Sequence, residues 1–267
     1  MSALTATRQH ALTDTATLLR RNLRHTLRYP SMTLGSVFGP VIMLVLFVAV
    51  LGRTLGAGLV SAGGHHGGYV DYLAPGIIVM AVASGSMATA VAVCVDMTEG
   101  IVDRFRTMPI ARVSILTAHV INSVLTTVVS TASVIAVAML LGFSPDAGLR
   151  GWAAAAGLLL LLTFALTWLA VAIGLVSGTP EAASNSPMLI VFLPFVGSAF
   201  APAGGMPVGV RQFAEYQPFT PVIETVRGLL TGSPTGHNAV IAVAWCFVIA
   251  AGGYAWARAG FRHNRAR

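Results

Sequence analysis

No lysine occurs anywhere in the 267 residues of this chain, and that absence excludes two kinds of chemistry. A P-loop needs a lysine after its glycine-rich turn to reach the nucleotide phosphates, so the chain carries no such ATP site of its own. A lysine Schiff base is excluded as well. Charge of either sign is scarce. Only 9% of residues are charged and 55% are hydrophobic, and the mean hydropathy is +0.79. A water-facing domain carries roughly 25% charged residues, so this composition belongs to a membrane protein. Cysteine is nearly absent. Cys94 and Cys246 lie singly in apolar runs, as small buried hydrophobes do, with no spacing for a disulfide or a metal site.

Carboxylates are missing where a proton-coupled carrier would need them. Asp71, Asp96 and Glu181 fall at the ends of apolar runs, and His119 stands alone in the first third of another. Ionisable groups deep in a membrane are expensive and therefore functional, so their absence disfavours an autonomous carrier or channel. Enzyme constellations are equally thin. His65 and His66 sit in the glycine-rich stretch "SAGGHHGGY" without a carboxylate or cysteine partner, which reads as a loop and not a metal site. No Gly-x-Ser-x-Gly elbow or paired-histidine motif is found, and neither a catalytic role nor a nucleic-acid partner is expected. The first 30 residues lack the apolar core of a cleavable signal peptide, so the first span is expected to lead insertion.

What is present is a set of long apolar runs. A helical span needs roughly 20 such residues, and six candidates appear at 33–52, 72–95, 113–142, 152–177, 186–202 and 238–257. The fifth contains Pro187, Pro194 and Pro202, which argues against one straight helix. Arginines are distributed unevenly between the connecting segments. The segment before the first span, the one between the second and third, and the tail after the sixth hold twelve of the 16. By the positive-inside rule those three lie in the cytoplasm, with both termini. The fold class expected is an all-α polytopic membrane protein with six transmembrane helices. Its parts are an N-terminal tail (1–30), a six-span domain (31–257) and a basic tail (258–267). Within the first tail, Leu12, Ala16, Leu19, Leu23 and Leu27 recur at helical spacing beside an Arg20/Arg24/Arg28 stripe, as in an interfacial amphipathic helix; a solvated basic tail is the alternative. Gly35-x-x-x-Gly39 and Gly174-x-x-x-Gly178 would allow close helix approach. Asn122, Thr126, Ser130 and Ser133 form a polar stripe on the third span, suited to binding a neighbouring helix or lining a translocation path.

Between the second and third spans lies "DMTEGIVDRFRTMPIAR", residues 96–112, with three acids and three arginines. Asp96 is placed to cap a short helix, with Glu99 three residues on. Ile101, Phe105 and Met108 would line one face and Glu99, Asp103 and Arg106 another, until Pro109 stops the helix. Periodicity alone lets this amphipathic helix rest on lipid or dock on a protein. A second segment, residues 185–232, holds the broken fifth span followed by Met206-Pro207, then Pro218, Thr220, Pro221 and Arg227.

These two segments, correctly spaced, resemble the ABC-2 type exporter permeases, above all the daunorubicin/doxorubicin-resistance branch, and the resemblance covers essentially the whole chain. It implies a permease subunit that moves hydrophobic drugs or antibiotics out across a bacterial plasma membrane. Related members export lipid, glycolipid or polysaccharide, which is the nearest alternative. The resemblance further implies a second permease, identical or paralogous, surrounding membrane lipid, and two copies of a cytoplasmic ATPase subunit. ATP and magnesium would be used by that partner, with no cofactor held by this chain. Carried over residue by residue, Glu99, Gly100, Asp103, Arg104, Phe105, Arg106, Pro109 and Arg112 belong to a cytoplasmic coupling helix that the motor grips. Met206, Pro207, Glu215, Pro218, Thr220, Pro221, Glu224 and Arg227 belong to a re-entrant external gate between spans five and six. On this reading Arg104→Glu and Phe105→Asp are each expected to abolish ATP-driven export while membrane insertion is retained, as vesicle transport and membrane fractionation would show. Unchanged export in both variants would remove the coupling assignment.

Overall fold

The computed structural model describes residues 30–61, 68–98 and 112–263, so the N-terminal amphipathic helix and most of the coupling segment (Glu99, Gly100, Asp103, Arg104, Phe105, Arg106 and Pro109) lie outside the described residues. Every regular element among the described residues is helical. In chain order these are α1 (Pro30–Ser61), α2 (Tyr69–Thr98), α3 (Arg112–Leu140), α4 (Leu149–Val176), α5 (Pro180–Asn185) and α6 (Met188–Val196). After a single 3-10 turn at Ala203–Gly205 come α7 (Val208–Tyr216), α8 (Phe219–Thr231) and α9 (Asn238–His263).

Local signals explain the breaks. At the start of α2 the Gly68 N–H donates to Asp71 Oδ2 at 2.8 Å, which satisfies a backbone donor that the first helical turn leaves open. Asp71 Oδ1 also accepts from the Ser144 N–H at 2.9 Å, which ties the turn after α3 to the start of α2. Thr179 caps α5, its Oγ1 accepting from the Ala182 N–H at 3.2 Å, with Pro180 and Glu181 in the first turn. Pro187 separates α5 from α6, and Gly232 ends α8 in the left-handed conformation at φ 70°.

Helices α2, α4 and α9 run in one direction and α3 in the other, between two ends of the bundle, one marked by Asp71 and the other by Asp96. At the Asp71 end the start of α2 meets the tip of α6 and Arg227 of α8, and Gly151 near the start of α4 lies against the Leu229 carbonyl of α8. At the Asp96 end the close of α2 meets the start of α3 and the loop leaving α4, where Cys94 Sγ lies 3.4 Å from the Ser177 carbonyl. Helix α2 is the axis. It touches α1, α3, α4, α5, α6 and α8, and 78% of its most apolar stretch is buried, against 17% for α9. The outward flanks of α1, α3 and α9 are apolar: Ile42, Val50, Val129, Phe247 and Val248 are all exposed. Such bands fit hydrocarbon and would aggregate in water.

Four helices are long and apolar enough to cross a membrane, spanning Tyr69–Thr98, His119–Leu140, Leu149–Val176 and Asn238–Gly260 among the described residues. Against the six expected spans, the second, third, fourth and sixth match these closely. The first corresponds to α1, a 32-residue helix with an apolar stretch at Val37–Gly52. The fifth is not one span-length helix; it is made of α5 and α6, broken at Ser186-Pro187. Asp96 does not cap a separate helix, because α2 continues unbroken to Thr98.

Glycine sets the closest approaches. A Cβ on Gly253 of α9 would sit 2.7 Å from the Leu169 nitrogen of α4, and one on Gly85 of α2 would sit 2.7 Å from Thr127 Oγ1 of α3. Gly174 similarly lies against the Ala90 carbonyl. Of the two glycine pairs singled out in the sequence, Gly174 serves a close contact, while Gly35, Gly39 and Gly178 meet nothing within 4 Å among the described residues. Gly253→Val is therefore expected to cost about 1–3 kcal/mol by overpacking. Gly157→Val, where nothing lies within 4 Å, should change little. Denaturation in mixed detergent micelles would separate the two.

Candidate functional site

Helix α8 carries the densest polar chemistry in the structure. It begins after Pro218, buries Thr220 and Pro221 in its first turn, and places Glu224 and Arg227 one turn apart. Arg227 is 3% exposed. A guanidinium cannot be neutralised at any ordinary pH, so burying it requires that its donors be met. They are met by three stretches of chain. Nη1 donates to Glu224 of its own helix. Nη2 donates to the Ser198 carbonyl at 2.8 Å and to the Tyr72 carbonyl at 3.1 Å, and Nε reaches the same Tyr72 carbonyl at 3.3 Å. The guanidinium carbon also lies 3.9 Å from the centre of the Tyr72 ring, within cation–π range. Tyr72 Oη closes the figure by donating to the Ser198 carbonyl at 2.9 Å. Arg227 thus fastens α8 to the first turn of α2 and to the tip of α6.

The tip of α6 can come this close because Gly197 and Gly76 have no side chains. A Cβ on Gly76 would lie 2.8 Å from Ala199, and one on Gly197 would collide with Gln217 and Thr220. Beyond the tip, Phe200 stacks on Phe195 and meets Phe47 of α1 with ring centres 4.5 Å apart. The structure brings Pro218, Thr220, Pro221, Glu224 and Arg227 together. Met206, Pro207 and Glu215 stand apart, around the more exposed α7. There the Arg211 Nε donates to Glu215 Oε1 at 2.7 Å, and that bond, with the carboxylate charge, holds Arg211 above its ordinary pKa.

A second polar feature runs along α3. His119 Nε2 lies 2.9 Å from Asp96 Oδ2, joining α3 to the last turns of α2. One turn on, Ser123 Oγ and Thr167 Oγ1 of α4 are 2.9 Å apart, both buried. Thr127 and Thr131 continue the line and are buried too. Of the stripe singled out in the sequence, Ser130 is buried, while Asn122, Thr126 and Ser133 are half-buried. The buried line is displaced by one residue from that stripe and meets it at Ser130. Arg112, the described member of the coupling segment, opens α3. Among the described residues no group of three histidine, cysteine or acidic side chains could hold a metal ion.

Sequence reasoning found Arg227 and Glu224 but missed Tyr72 and Ser198, which meet the guanidinium. It also read His119 as solitary. The signal for that pair was available: two polar residues at facing ends of consecutive antiparallel spans.

The sequence profile of the ABC-2 type transporter family matches residues 13–231. Among characterised proteins, the daunorubicin resistance ABC transporter permease protein DrrB1 of Streptomyces coeruleorubidus is 27% identical over 227 residues, 85% of this chain and 78% of that protein. The probable doxorubicin resistance ABC transporter permease protein DrrC of Mycobacterium tuberculosis is 23% identical over 210 residues, 79% of this chain and 75% of its own length. The all-helical bundle with apolar outer flanks suits a membrane subunit of a transporter, as these permease relatives are. The chain belongs to the ABC-2 type transporter family, whose permeases work with an ATP-binding subunit in a bacterial-type cell membrane.

Removing the guanidinium leaves Glu224 and two carbonyls without their partner. Arg227→Met is expected to destabilise the solubilised permease by about 3–5 kcal/mol. Glu215→Gln, on an exposed pair, should leave the unfolding midpoint nearly unchanged. Thermal unfolding followed by circular dichroism compares them.

Proposed function

We propose that this chain is the membrane-spanning permease of an ABC exporter that moves hydrophobic drugs or antibiotics out of the cell. The observation that carries this reading is the family match over most of the chain, together with relatives named for daunorubicin and doxorubicin resistance. Energy comes from ATP hydrolysis, with magnesium, on a separate subunit; the absence of lysine, and so of a P-loop, from these 267 residues supports placing that step on another chain. The working unit is a pair of permeases, identical or paralogous, with two copies of the ATPase. Each permease crosses the membrane six times, counting α1 and the α5–α6 pair, with both termini in the cytoplasm, as the arginine distribution supports.

The mechanism follows from α2. In this orientation Asp96 marks the cytoplasmic end and Asp71 the external end. The coupling segment 99–111 joins α2 directly to α3, so a motor that grips it moves both helices. Helix α2 is 30 residues long, roughly 45 Å at 1.5 Å per residue. Its far end presents Tyr72 to Arg227. A shift of α2 therefore reaches α8, the buried helix of the external gate, without a separate relay. The His119–Asp96 pair and the Ser123–Thr167 contact make α2, α3 and α4 move as one block. Asn122, Thr126, Ser130 and Ser133 are the path-lining candidates on that block. Pro75, one turn inside the external end of α2, cannot donate to the Asp71 carbonyl, and so marks where this helix can bend.

Isolation of the native complex in mild detergent tests the reading. An ATPase subunit is expected to co-purify, and hydrophobic drugs are expected to raise its ATP hydrolysis in reconstituted vesicles. Stimulation by lipid or glycan intermediates and not by drugs would move the chain to the alternative cargo class. Transport that persists without ATP would overturn the export mechanism itself.

A further inference from the structure

Every group that faces the Arg227 guanidinium is one that receives a cation. The set comprises the Tyr72 ring face, the Tyr72 and Ser198 carbonyl oxygens, and the Glu224 carboxylate. These come from α2, from the tip of α6 and from α8, so the cradle exists only where three elements meet. It also has more polar groups than one guanidinium uses. Ser198 Oγ, Gln217 Oε1 and Tyr69 Oη are buried without a hydrogen-bond partner among the described residues. Ser198 already contributes its carbonyl to the cradle. The Gln217 amide bonds Thr220 at 3.2 Å and lies where a Gly197 side chain would be, next to Ser198. Tyr69 is one turn from Tyr72 on the same helix. A buried polar group left unpaired costs about 1–3 kcal/mol, so three such groups beside one cradle mark a place built for a further occupant.

The cradle has a route outward. Glu224 is 32% exposed while its partner is 3% exposed. The helix that carries both is short, bounded by Gln217-Pro218 on one side and the Gly232 cap on the other. When α8 moves off α2, Arg227 leaves with it, and the α2 and α6 portions of the cradle keep an aromatic face and two carbonyls that have lost their cation.

We propose that this cradle is a cation subsite of the exit path, filled by the chain's own Arg227 in the closed gate and open to the ammonium or guanidinium group of an amphiphilic cargo as α8 swings away. The proposal rests on the export reading above. Arg227 serves as a tethered stand-in for the cargo's charge, so the gate can exchange one cation for another without exposing bare acceptors to an apolar passage. A neutral cargo of the same shape meets those acceptors without satisfying them, and passes more slowly.

The test uses the complete transporter, permease with its ATPase, reconstituted in vesicles. The probes are two fluorescent amphiphiles that differ only in a primary ammonium against its neutral acetamide. The cation is expected to be exported about tenfold faster, the worth of one desolvated cation–π contact and a charged hydrogen bond. Tyr72→Leu, which removes the aromatic face that stays behind on α2, is expected to bring the ratio of the two rates close to one, whatever happens to the absolute rates. Equal export of the two probes by the wild type, or a ratio that Tyr72→Leu leaves unmoved, overturns the subsite and leaves the export reading standing. Failure to export either probe with ATP overturns the export reading for amphiphiles and the subsite with it.

A second measurement needs no transport. In the purified Arg227→Ala permease, millimolar methylguanidinium is expected to raise the unfolding midpoint by several degrees over sodium at equal ionic strength, with no such gain in the wild type. No selective gain in a folded variant overturns the exchange. Should the variant fail to fold, the export ratio in the Tyr72→Leu complex decides alone.

Discussion

A guanidinium held out of water governs the architecture of this permease at its Asp71 end. Burying a guanidinium leaves five N–H donors to be met, so the chain must bring acceptors to Arg227 or leave it in solvent. Those acceptors are backbone carbonyls on two other elements, and backbone carbonyls can be offered only if the elements approach closely. Gly76 and Gly197 make that approach possible. The end of α6 at Val196 leaves the Ser198 carbonyl outside any helical ladder, where it accepts from Arg227. Gly197, Tyr72 and Arg227 are separate features of the sequence, yet they answer one electrostatic requirement.

The same logic divides the bundle into parts that bind one another and parts that face lipid. Helix α2 is wrapped on nearly all sides, and its polar contacts are distributed along its length: Asp71 to the Ser144 amide, Tyr72 to Ser198 and Arg227, and Asp96 to His119. Without a hydrophobic force between helices in lipid, small residues and hydrogen bonds must supply the adhesion. Gly85 against Thr127 and Ser123 beside Thr167 are of that kind. Helices α1, α3 and α9 make such contacts on one side and turn an apolar flank outward on the other.

Much of this was legible before any coordinates. The apolar runs of α2, α3, α4 and α9 stand out because a membrane span is a one-dimensional signal, set by length and composition. The prolines at 187, 194 and 202 marked the fifth run as broken, and the charge on Glu224 and Arg227 marked α8 as unusual. What the sequence could not reveal was pairing at long range. Tyr72 and Arg227 are 155 residues apart, and nothing in an apolar stretch announces that one tyrosine's carbonyl faces a guanidinium. The displaced polar line on α3 has a related cause: in a helix rich in hydroxyls several stripes are possible, and the neighbours α2 and α4 choose Ser123, Thr127 and Thr131. Asp96 looked like a helix cap because the sequence turns polar there, whereas α2 carries its hydrogen bonds two residues further, aided by Thr98 bonding back to the Cys94 carbonyl.

Helix α8 also bears on how the protein is made. At 13 residues, with a glutamate and an arginine, it is too short and too polar to be retained in a bilayer on its own merits. Its burial depends on acceptors contributed by α2 and α6, both of which precede it in the chain. During synthesis the order of elements therefore matters: the helix that closes the Asp71 end is translated after the elements that neutralise it, and it docks onto an already inserted bundle. Biogenesis of this fold is thus staged, with membrane insertion first and polar docking second.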